Sequence, residues 1–207
     1  MAIETRYEEI RKSACAVIAR RGFHQASTRE IARDAGLSLA GLYHYVGGKD
    51  ELLFLVLDRA LDTLIAGLDR AVIAARTEEL KLLALVQTHL DFGFHHAAEL
   101  KIINRDYELL HEPRRGEIAA KRRAYVQRAL VILREIDPHQ RSGDELLSAT
   151  NLLLGMLNGI ARQPFLRSGE DAHALAGEVS ALFLYGFLER SHDAGAPIHA
   201  LGGEHDA

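Results

Sequence analysis

Residues 22–53 read GFHQASTREIARDAGLSLAGLYHYVGGKDELL, and this stretch decides the fold. Ser27 and Glu30 have the spacing of a capping box, which predicts the start of a short helix. Gly36 follows, and glycine readily adopts the left-handed conformation in which many helices end. Ser38 is then placed to cap another short helix. The order of these signals predicts a helix, a tight turn and a second helix.

The flanking residues extend this motif on both sides. Upstream, apolar residues at helical spacing predict a first helix over residues 4–21. Downstream, Gly47 and Gly48 break the chain before Lys49, where a long amphipathic helix is predicted to begin. Seven apolar side chains are expected to form a small core behind the third helix: Val17, Ile18, Ile31, Ala32, Leu37, Leu42 and Val46. The third helix is therefore predicted to be held rigidly, with its opposite face turned outward.

The rest of the chain carries helical patterns, and no strand pattern competes with them. The nine predicted helices cover residues 4–21, 28–35, 39–45, 49–75, 78–97, 98–110, 113–136, 143–163 and 170–190. The predicted fold class is all-α, with a three-helix N-terminal helix-turn-helix head over residues 1–48 and a six-helix body over residues 49–191. Residues 192–207 are rich in Gly, His and Ala and are predicted to form a flexible tail.

Composition places the chain among ordinary globular proteins. It has 207 residues, of which 48% are hydrophobic and 26% are charged. The net charge of −4 is unevenly divided, since residues 1–50 carry 8 Lys and Arg against 6 Asp and Glu, whereas the remainder carries 17 against 23. The slightly positive N-terminal part suits contacts with phosphates. The acidic remainder does not, so the two parts of the chain are expected to have different functions.

The sequence predicts a cytoplasmic protein with no membrane partner. Its first residues are acidic where a secretion signal would be basic, and its apolar runs are shorter than the roughly 20 residues that span a bilayer. The single cysteine, Cys15, cannot form an internal disulfide, which fits a reducing compartment.

The stretch quoted above closely resembles the signature of the TetR family of DNA-binding regulators. The matching features are Gly22-Phe23, Thr28, Ile31-Ala32, Gly36-Leu37-Ser38, Gly41-Leu42-Tyr43-His44-Tyr45 and Lys49-Asp50-Glu51-Leu52. The resemblance implies that the third helix reads the major groove of DNA and that nearby side chains bind phosphates. The predicted DNA-binding residues are Thr28, Arg29, Ser38, Leu39, Ala40, Gly41, Tyr43, His44 and Lys49. Of these, the resemblance assigns phosphate contacts to Thr28, Tyr43, His44 and Lys49.

The last two predicted helices are too apolar for the surface of a monomer. Helix-turn-helix proteins usually bind two half-sites about one DNA turn apart, roughly 34–36 Å, so the distance between two heads must be fixed. The resemblance implies that these helices form an intersubunit four-helix bundle in a homodimer. The predicted dimerisation residues are Leu153, Leu157, Leu182, Phe183 and Phe187.

Three body segments resemble the branch of the TetR family that responds to acyl-CoA thioesters: ELKIINRDY from Glu99, KRRAY from Lys121 and LGMLNGI from Leu154. An acyl chain needs an apolar tunnel, and its phosphates need cations. The predicted ligand-binding residues are Phe92, Ile103, Arg105, Arg122, Arg123, Asn158 and Arg162. Each of these residues can also be explained without a ligand, the apolar ones as ordinary core residues and the arginines as solvated surface residues.

The function that the resemblance implies is a ligand-responsive repressor that binds a palindromic operator as a dimer. A small hydrophobic effector, for which an acyl-CoA is the candidate, would release it from double-stranded DNA by stabilising a different conformation of the body. No catalytic residue, cofactor or metal is predicted, because no nucleophile set, phosphate-binding loop or Cys-x-x-Cys pair is discernible.

Three alternatives stay open at this point. Glu-x-x-His spacing at Glu108–His111 and Glu170–His173 is that of a di-iron bundle enzyme, although ligands of such enzymes project from helix middles and these pairs lie near helix ends. Four possible metal ligands that lie close together in the sequence suggest a metal-responsive regulator. These ligands are His89, Asp91, His95 and His96. A regulator of the same fold that binds a protein partner instead of a small effector is the third alternative.

Overall fold

A computed structural model describes residues 2–163 and 169–188, and within these ranges the chain is helical and contains no strand. The helices are α1 (Ala2–Arg21), α2 (Thr28–Asp34), α3 (Leu39–Tyr43), α4 (Lys49–Ala74), α5 (Glu78–His95), α6 (Ala97–Arg105), α7 (Arg114–Ile136), α8 (Gly143–Ala161) and α9 (Gly169–Leu188). The predicted all-α fold is confirmed, and each predicted helix has a counterpart in this part of the chain.

Two predicted elements differ from the structure. The third helix ends at Tyr43 rather than at residue 45, because the N–H groups of His44 and Tyr45 bond to carbonyls three residues back and tighten the chain. The segment predicted as one helix over residues 98–110 is divided into α6 and a 3₁₀ turn, Tyr107–Leu109. The remaining helix ends agree with the prediction to within about two residues, which is the usual uncertainty of a helix boundary.

Within the described residues, side-chain caps start four helices. The capping residues are Ser27, Ser38, Thr77 and Ser142. Ser142 and Glu145 form a complete capping box at the start of α8. The box predicted at Ser27 is only half present: Ser27 accepts from the Glu30 N–H, but the Glu30 carboxylate pairs with Arg20 at 2.9 Å. The correction has a physical cause, since the cations at the end of α1 lie beside α2 and attract that carboxylate.

The turn between α2 and α3 has the geometry that its glycine indicates. Gly36 has a φ of +65°, in the left-handed region that other residues rarely adopt. Its N–H donates to the Arg33 carbonyl, and the Leu37 N–H donates to the Ala32 carbonyl at 2.8 Å. These two bonds form a Schellman motif, which satisfies the last carbonyls of α2 and directs the chain into α3.

One continuous buried core joins the N-terminal helices to the rest of the chain. Helix α1 packs against α2, α4 and α6, and α4 packs against α5, α6 and α7 as well. The fully or nearly buried side chains of α4 are Leu52, Leu53, Val56, Leu57, Ala60, Leu61, Leu64 and Leu68. Helix α4 therefore contacts both the N-terminal helices and the helices that follow it. The boundary between head and body at residues 48 and 49 stays a prediction.

None of the helices within the described ranges is long and apolar enough to cross a membrane. The tail predicted over residues 192–207 lies outside the described residues.

Candidate nucleic-acid interface and effector region

Helix α3 is short and is supported from behind. Leu42 is completely buried against the core, and the Ser38 hydroxyl accepts a hydrogen bond from the Gly41 N–H at 3.0 Å. Ala40 is exposed and Leu39 is half-buried on the outer side. The start of the helix therefore presents small side chains, which allow its backbone to approach a wide groove closely.

Two of the predicted phosphate-binding hydroxyls lie side by side. Thr28 Oγ1 and Tyr43 Oη are 3.3 Å apart, although Thr28 begins α2 and Tyr43 ends α3. Tyr43 is 49% exposed, and the neighbouring His44 and Arg29 are exposed as well. Two adjacent hydroxyls can donate together to the oxygens of one phosphate. The structure thus exposes Arg29, Tyr43 and His44, with the half-buried Thr28 beside Tyr43.

Lys49 has partners within the chain. Its Nζ donates to the His24 carbonyl at 3.0 Å and lies 4.5 Å from the centre of the Phe23 ring. Partial burial of the ammonium lowers the pKa of Lys49 below its ordinary value. Lys49 therefore ties the start of α4 to the loop after α1, and its predicted phosphate contact would have to be made from this position.

Helix α6 is hydrogen-bonded to the end of α1. Arg105 donates to the Ile18 carbonyl and Lys101 to the Ala19 carbonyl, both at 2.9 Å. The Arg105 guanidinium also binds the buried Asp106 carboxylate, which holds it in place. The Ile18 carbonyl also accepts from the Gly22 N–H at 2.8 Å, so Arg105 is its second donor. Cations near the last carbonyls of a helix interact favourably with its C-terminal end, so both side chains suit the end of α1. Sequence reasoning assigned Arg105 to a ligand and missed this contact, because its partner is 87 residues away.

A series of ion pairs joins α7 to α4. The cations Arg114, Lys121 and Arg128 are spaced seven residues apart on α7 and so share one face. Their partners on α4 are Asp50, Glu51, Asp58, Asp62 and Asp69. Pairs at this level of exposure stabilise a fold only slightly.

The predicted ligand-binding residues are spread over α5 to α8 and make different contacts. Phe92 and Ile103 are buried in the core. Arg122 donates to the Ile103 carbonyl, and its guanidinium carbon lies 3.7 Å from the centre of the Tyr107 ring. Arg162 is exposed at the end of α8. An open groove of about 550 Å³ is lined by Tyr107, Glu108, Glu112, Arg115, Gly116, Ala119 and Arg123, so it includes Arg123 but none of the other six.

Asn158, the remaining predicted ligand residue, belongs to a polar cluster inside the body. Asn104 Nδ2 donates to Asn158 Oδ1 at 2.8 Å, and His89 Nδ1 lies 3.0 Å from Tyr125 Oη. His89 and Tyr125 are both buried. Sequence reasoning did not assemble this cluster, because its members come from four different helices.

The metal-based alternatives gain no support from the placement of their residues. In the parts of the chain that the structure covers, no three His, Cys, Asp or Glu side chains are grouped so that they could hold a metal ion. His95 Nδ1 donates to the Asp91 carbonyl, whereas the His96 ring stacks on Phe92. In the first Glu-x-x-His pair, His111 bonds to Asp50 on α4. The Glu170 side chain of the second pair lies outside the described residues.

The predicted dimerisation residues divide between the core and the surface. Leu153, Leu157 and Phe187 are buried within the chain, so they cannot supply a surface for a partner. Leu182 is 70% exposed and Phe183 is half-buried. The large exposed apolar side chains of α8 and α9 are Leu147, Leu152, Met156, Leu182 and Tyr185. The prediction for α8 is therefore corrected. Leu153 and Leu157 pack against the chain's own core next to α5 and α7, and the exposed face of α8 carries Leu152 and Met156 instead.

Comparison with known protein families matches most of the chain. Residues 10–56 match the family model of bacterial regulatory proteins of the tetR family, and residues 75–186 match a tetracyclin repressor-like C-terminal domain. Over 96 residues the chain is 34% identical to the HTH-type transcriptional activator FasR of Mycolicibacterium smegmatis. That alignment covers 46% of this chain and 44% of FasR, so it spans less than half of the relative.

Solved structures share the fold over nearly the whole chain. A TetR-family transcriptional regulator from Bordetella parapertussis superposes with a TM-score of 0.81 at 23% identity, covering 89% of this chain and 98% of that one. The structure of AibR in complex with isovaleryl coenzyme A and operator DNA superposes with a TM-score of 0.73 at 23% identity, covering 84% and 97%. At such identities the likeness concerns the fold.

Proposed function

Because the chain belongs to the TetR family of bacterial regulatory proteins, we propose that it is a dimeric transcriptional repressor that a small hydrophobic effector releases from its operator. The observation that carries the DNA-binding part is the exposed surface formed by the start of α3 and the adjoining Thr28 and Tyr43 hydroxyls. A rigidly supported helix with small side chains and flanking phosphate donors is suited to a major groove.

Dimerisation is supported by the large apolar side chains that α8 and α9 expose to solvent. Leu152 is 68% exposed, and Leu182 and Tyr185 are each 70% exposed. A Cβ added at Gly155 or Gly177 would have no neighbour within 4 Å, so these glycines also lie in open space. An apolar surface with small residues on two long helices suits a self-complementary interface around a two-fold axis. Such a dimer would present two α3 helices to a palindromic operator.

Control by an effector is supported by the contacts of α6. This helix lies between the break at His96 and the 3₁₀ turn, and it binds the end of α1 through Lys101 and Arg105. An effector that binds the body more tightly when α6 is displaced would weaken those bonds and reorient the head, so operator affinity would fall. We propose an acyl-CoA thioester as the effector class, consistent with the isovaleryl coenzyme A found in the structure of AibR.

The proposal is tested by selection of operator DNA from a random double-stranded library with the purified full chain. We expect a palindrome whose half-sites are centred about one helical turn apart.

In a binding titration on that operator, Tyr43→Phe should weaken affinity about five- to tenfold, because one hydrogen bond to a charged oxygen is lost. Tyr107→Phe removes a hydroxyl from the body and serves as the matched control. Failure to enrich any palindrome, or equal affinities of the two variants, would contradict the proposal.

A further inference from the structure

The side of α3 that faces away from the core carries an alanine. Ala40 is exposed and lies two residues before Leu42, whose side chain is completely buried. Successive residues of an α-helix are about 100° apart around its axis, so these two side chains point in nearly opposite directions. Because Leu42 packs against the core, the methyl group of Ala40 lies on the outward side of α3.

Helix α3 offers few hydrogen-bonding groups for reading bases. Residues 39–43 read LAGLY and include no Arg, Lys, Asn, Gln, Asp or Glu, the residue types that make the strong hydrogen-bonded contacts with base edges. The Ser38 hydroxyl before them accepts from the Gly41 N–H at 3.0 Å, so it is directed to the backbone of the helix. A Cβ added at Gly41 would lie 3.2 Å from that hydroxyl and 3.5 Å from Leu37 Cδ2, so position 41 faces the preceding turn.

The hydroxyl groups beside α3 suit phosphates rather than bases. Thr28 Oγ1 and Tyr43 Oη are 3.3 Å apart, and together they form the phosphate-binding pair proposed above. A phosphate held by this pair would fix α3 against the DNA with Ala40 next to the base edges. Phosphate contacts carry no sequence information, so a preference for particular bases has to come from another contact.

We propose that the methyl group of Ala40 contacts the 5-methyl group of a thymine in each operator half-site, and that this apolar contact selects the base. The inference rests on the proposed operator binding and specifies how one base pair is recognised. Thymine is the base that presents a methyl group in the major groove, and alanine is among the side chains that contact it. Cytosine at the same place presents an amino group, which an alkyl side chain would leave without a hydrogen-bond partner.

The test uses operator duplexes that differ by one methyl group in each half-site. On the palindrome selected from the random library, each thymine is replaced in turn by deoxyuridine, symmetrically in both half-sites, which keeps the base pair. One of these replacements should weaken binding of the wild-type chain about 10- to 20-fold, since roughly fourfold is expected for each buried methyl group. At the same position, 5-methylcytosine paired with guanine should bind more tightly than cytosine paired with guanine, because it restores the methyl group.

A variant assigns the contact to its residue. Ala40→Gly removes the alanine methyl group and should bind the thymine and deoxyuridine operators equally. Ala66→Gly makes the same change at an exposed position within α4, and as the matched control it should keep the preference for thymine. Because glycine weakens a helix, each protein is compared with itself on the two operators. The measurement on the wild-type chain does not depend on the folding of a variant.

The outcomes separate this contact from operator binding as such. A selected half-site without thymine, or equal affinity of the wild type for thymine and deoxyuridine at every position, would overturn the methyl contact and leave operator binding intact. The sequence preference would then come from another contact or from the shape of the DNA. A preference for thymine that survives in Ala40→Gly would overturn the assignment to Ala40. If no palindrome is enriched, operator binding is itself refuted and the methyl contact with it.

Discussion

The buried imidazole of His89 makes the stability of the protein depend on pH in a defined interval. Its pKa is about 4 in the folded chain, against 6.5 for an exposed histidine. Between these two values the unfolded chain binds a proton that the folded chain does not bind. The free energy of unfolding therefore falls as the pH is lowered from about 6.5 towards 4, and it is independent of this group above about 7.5.

The size of the effect follows from the two pKa values. Between pH 7.5 and pH 5, protonation of His89 in the unfolded state lowers the free energy of unfolding by about 2 kcal/mol. This interval lies above the range in which most carboxylates titrate, so the carboxylates contribute little. Contributions that the wild type and the variant share cancel in the comparison.

The assay is urea denaturation at pH 7.5 and pH 5.0 and at one protein concentration, since the proposed dimerisation would make stability depend on concentration. Between the two pH values, the free energy of unfolding should fall by about 2 kcal/mol more in the wild type than in the His89→Leu, Tyr125→Phe double variant. At pH 7.5 the double variant should be about as stable as the wild type or more stable, because both polar partners are removed together. An equal loss in the two proteins would refute the assignment of a buried, neutral His89.

Three further outcomes are expected. Gly93→Ala should lower the free energy of unfolding by about 1–3 kcal/mol, because its Cβ would overlap Ala161 Cβ on α8, and thermal denaturation measures the loss. Leu182→Glu should convert a dimer into a monomer in sedimentation experiments, whereas Val131→Glu, at an exposed apolar site of α7, should not; equal masses would exclude this side of α9 from the interface. Lys49→Met should reduce operator affinity about two- to tenfold, since it loses the proposed phosphate contact and the bond that ties α4 to the loop after α1. Unchanged affinity would remove Lys49 from the proposed interface.

Local signals predicted the secondary structure well. Ser38 and Thr77 start helices because each side chain accepts from a backbone N–H three residues further on, and Gly36 ends α2 because it tolerates a positive φ. These interactions involve neighbours in sequence. The failure of the box at Ser27 is instructive, since the Glu30 carboxylate was drawn to Arg20, which lies on another helix.

The orientation of the last two helices could not be read from their composition. Leu152, Leu153, Met156 and Leu157 occupy more than one side of α8, so helical periodicity does not tell which side faces the chain's own core. The structure buries Leu153 and Leu157 and exposes Leu152 and Met156. Packing against α5 and α7 makes that choice, and the partner-facing candidates change with it.

The sequence by itself determined an all-helical chain with a helix-turn-helix near its start, because caps, turn glycines and helical spacing act over a few residues. The tertiary structure alone decided which distant groups meet. Arg105 reaches the Ile18 carbonyl, and His89 contacts Tyr125 across 36 positions of sequence. The physical reason is that burial and hydrogen bonding are satisfied by whichever groups packing brings together, and spacing along the chain does not encode that proximity.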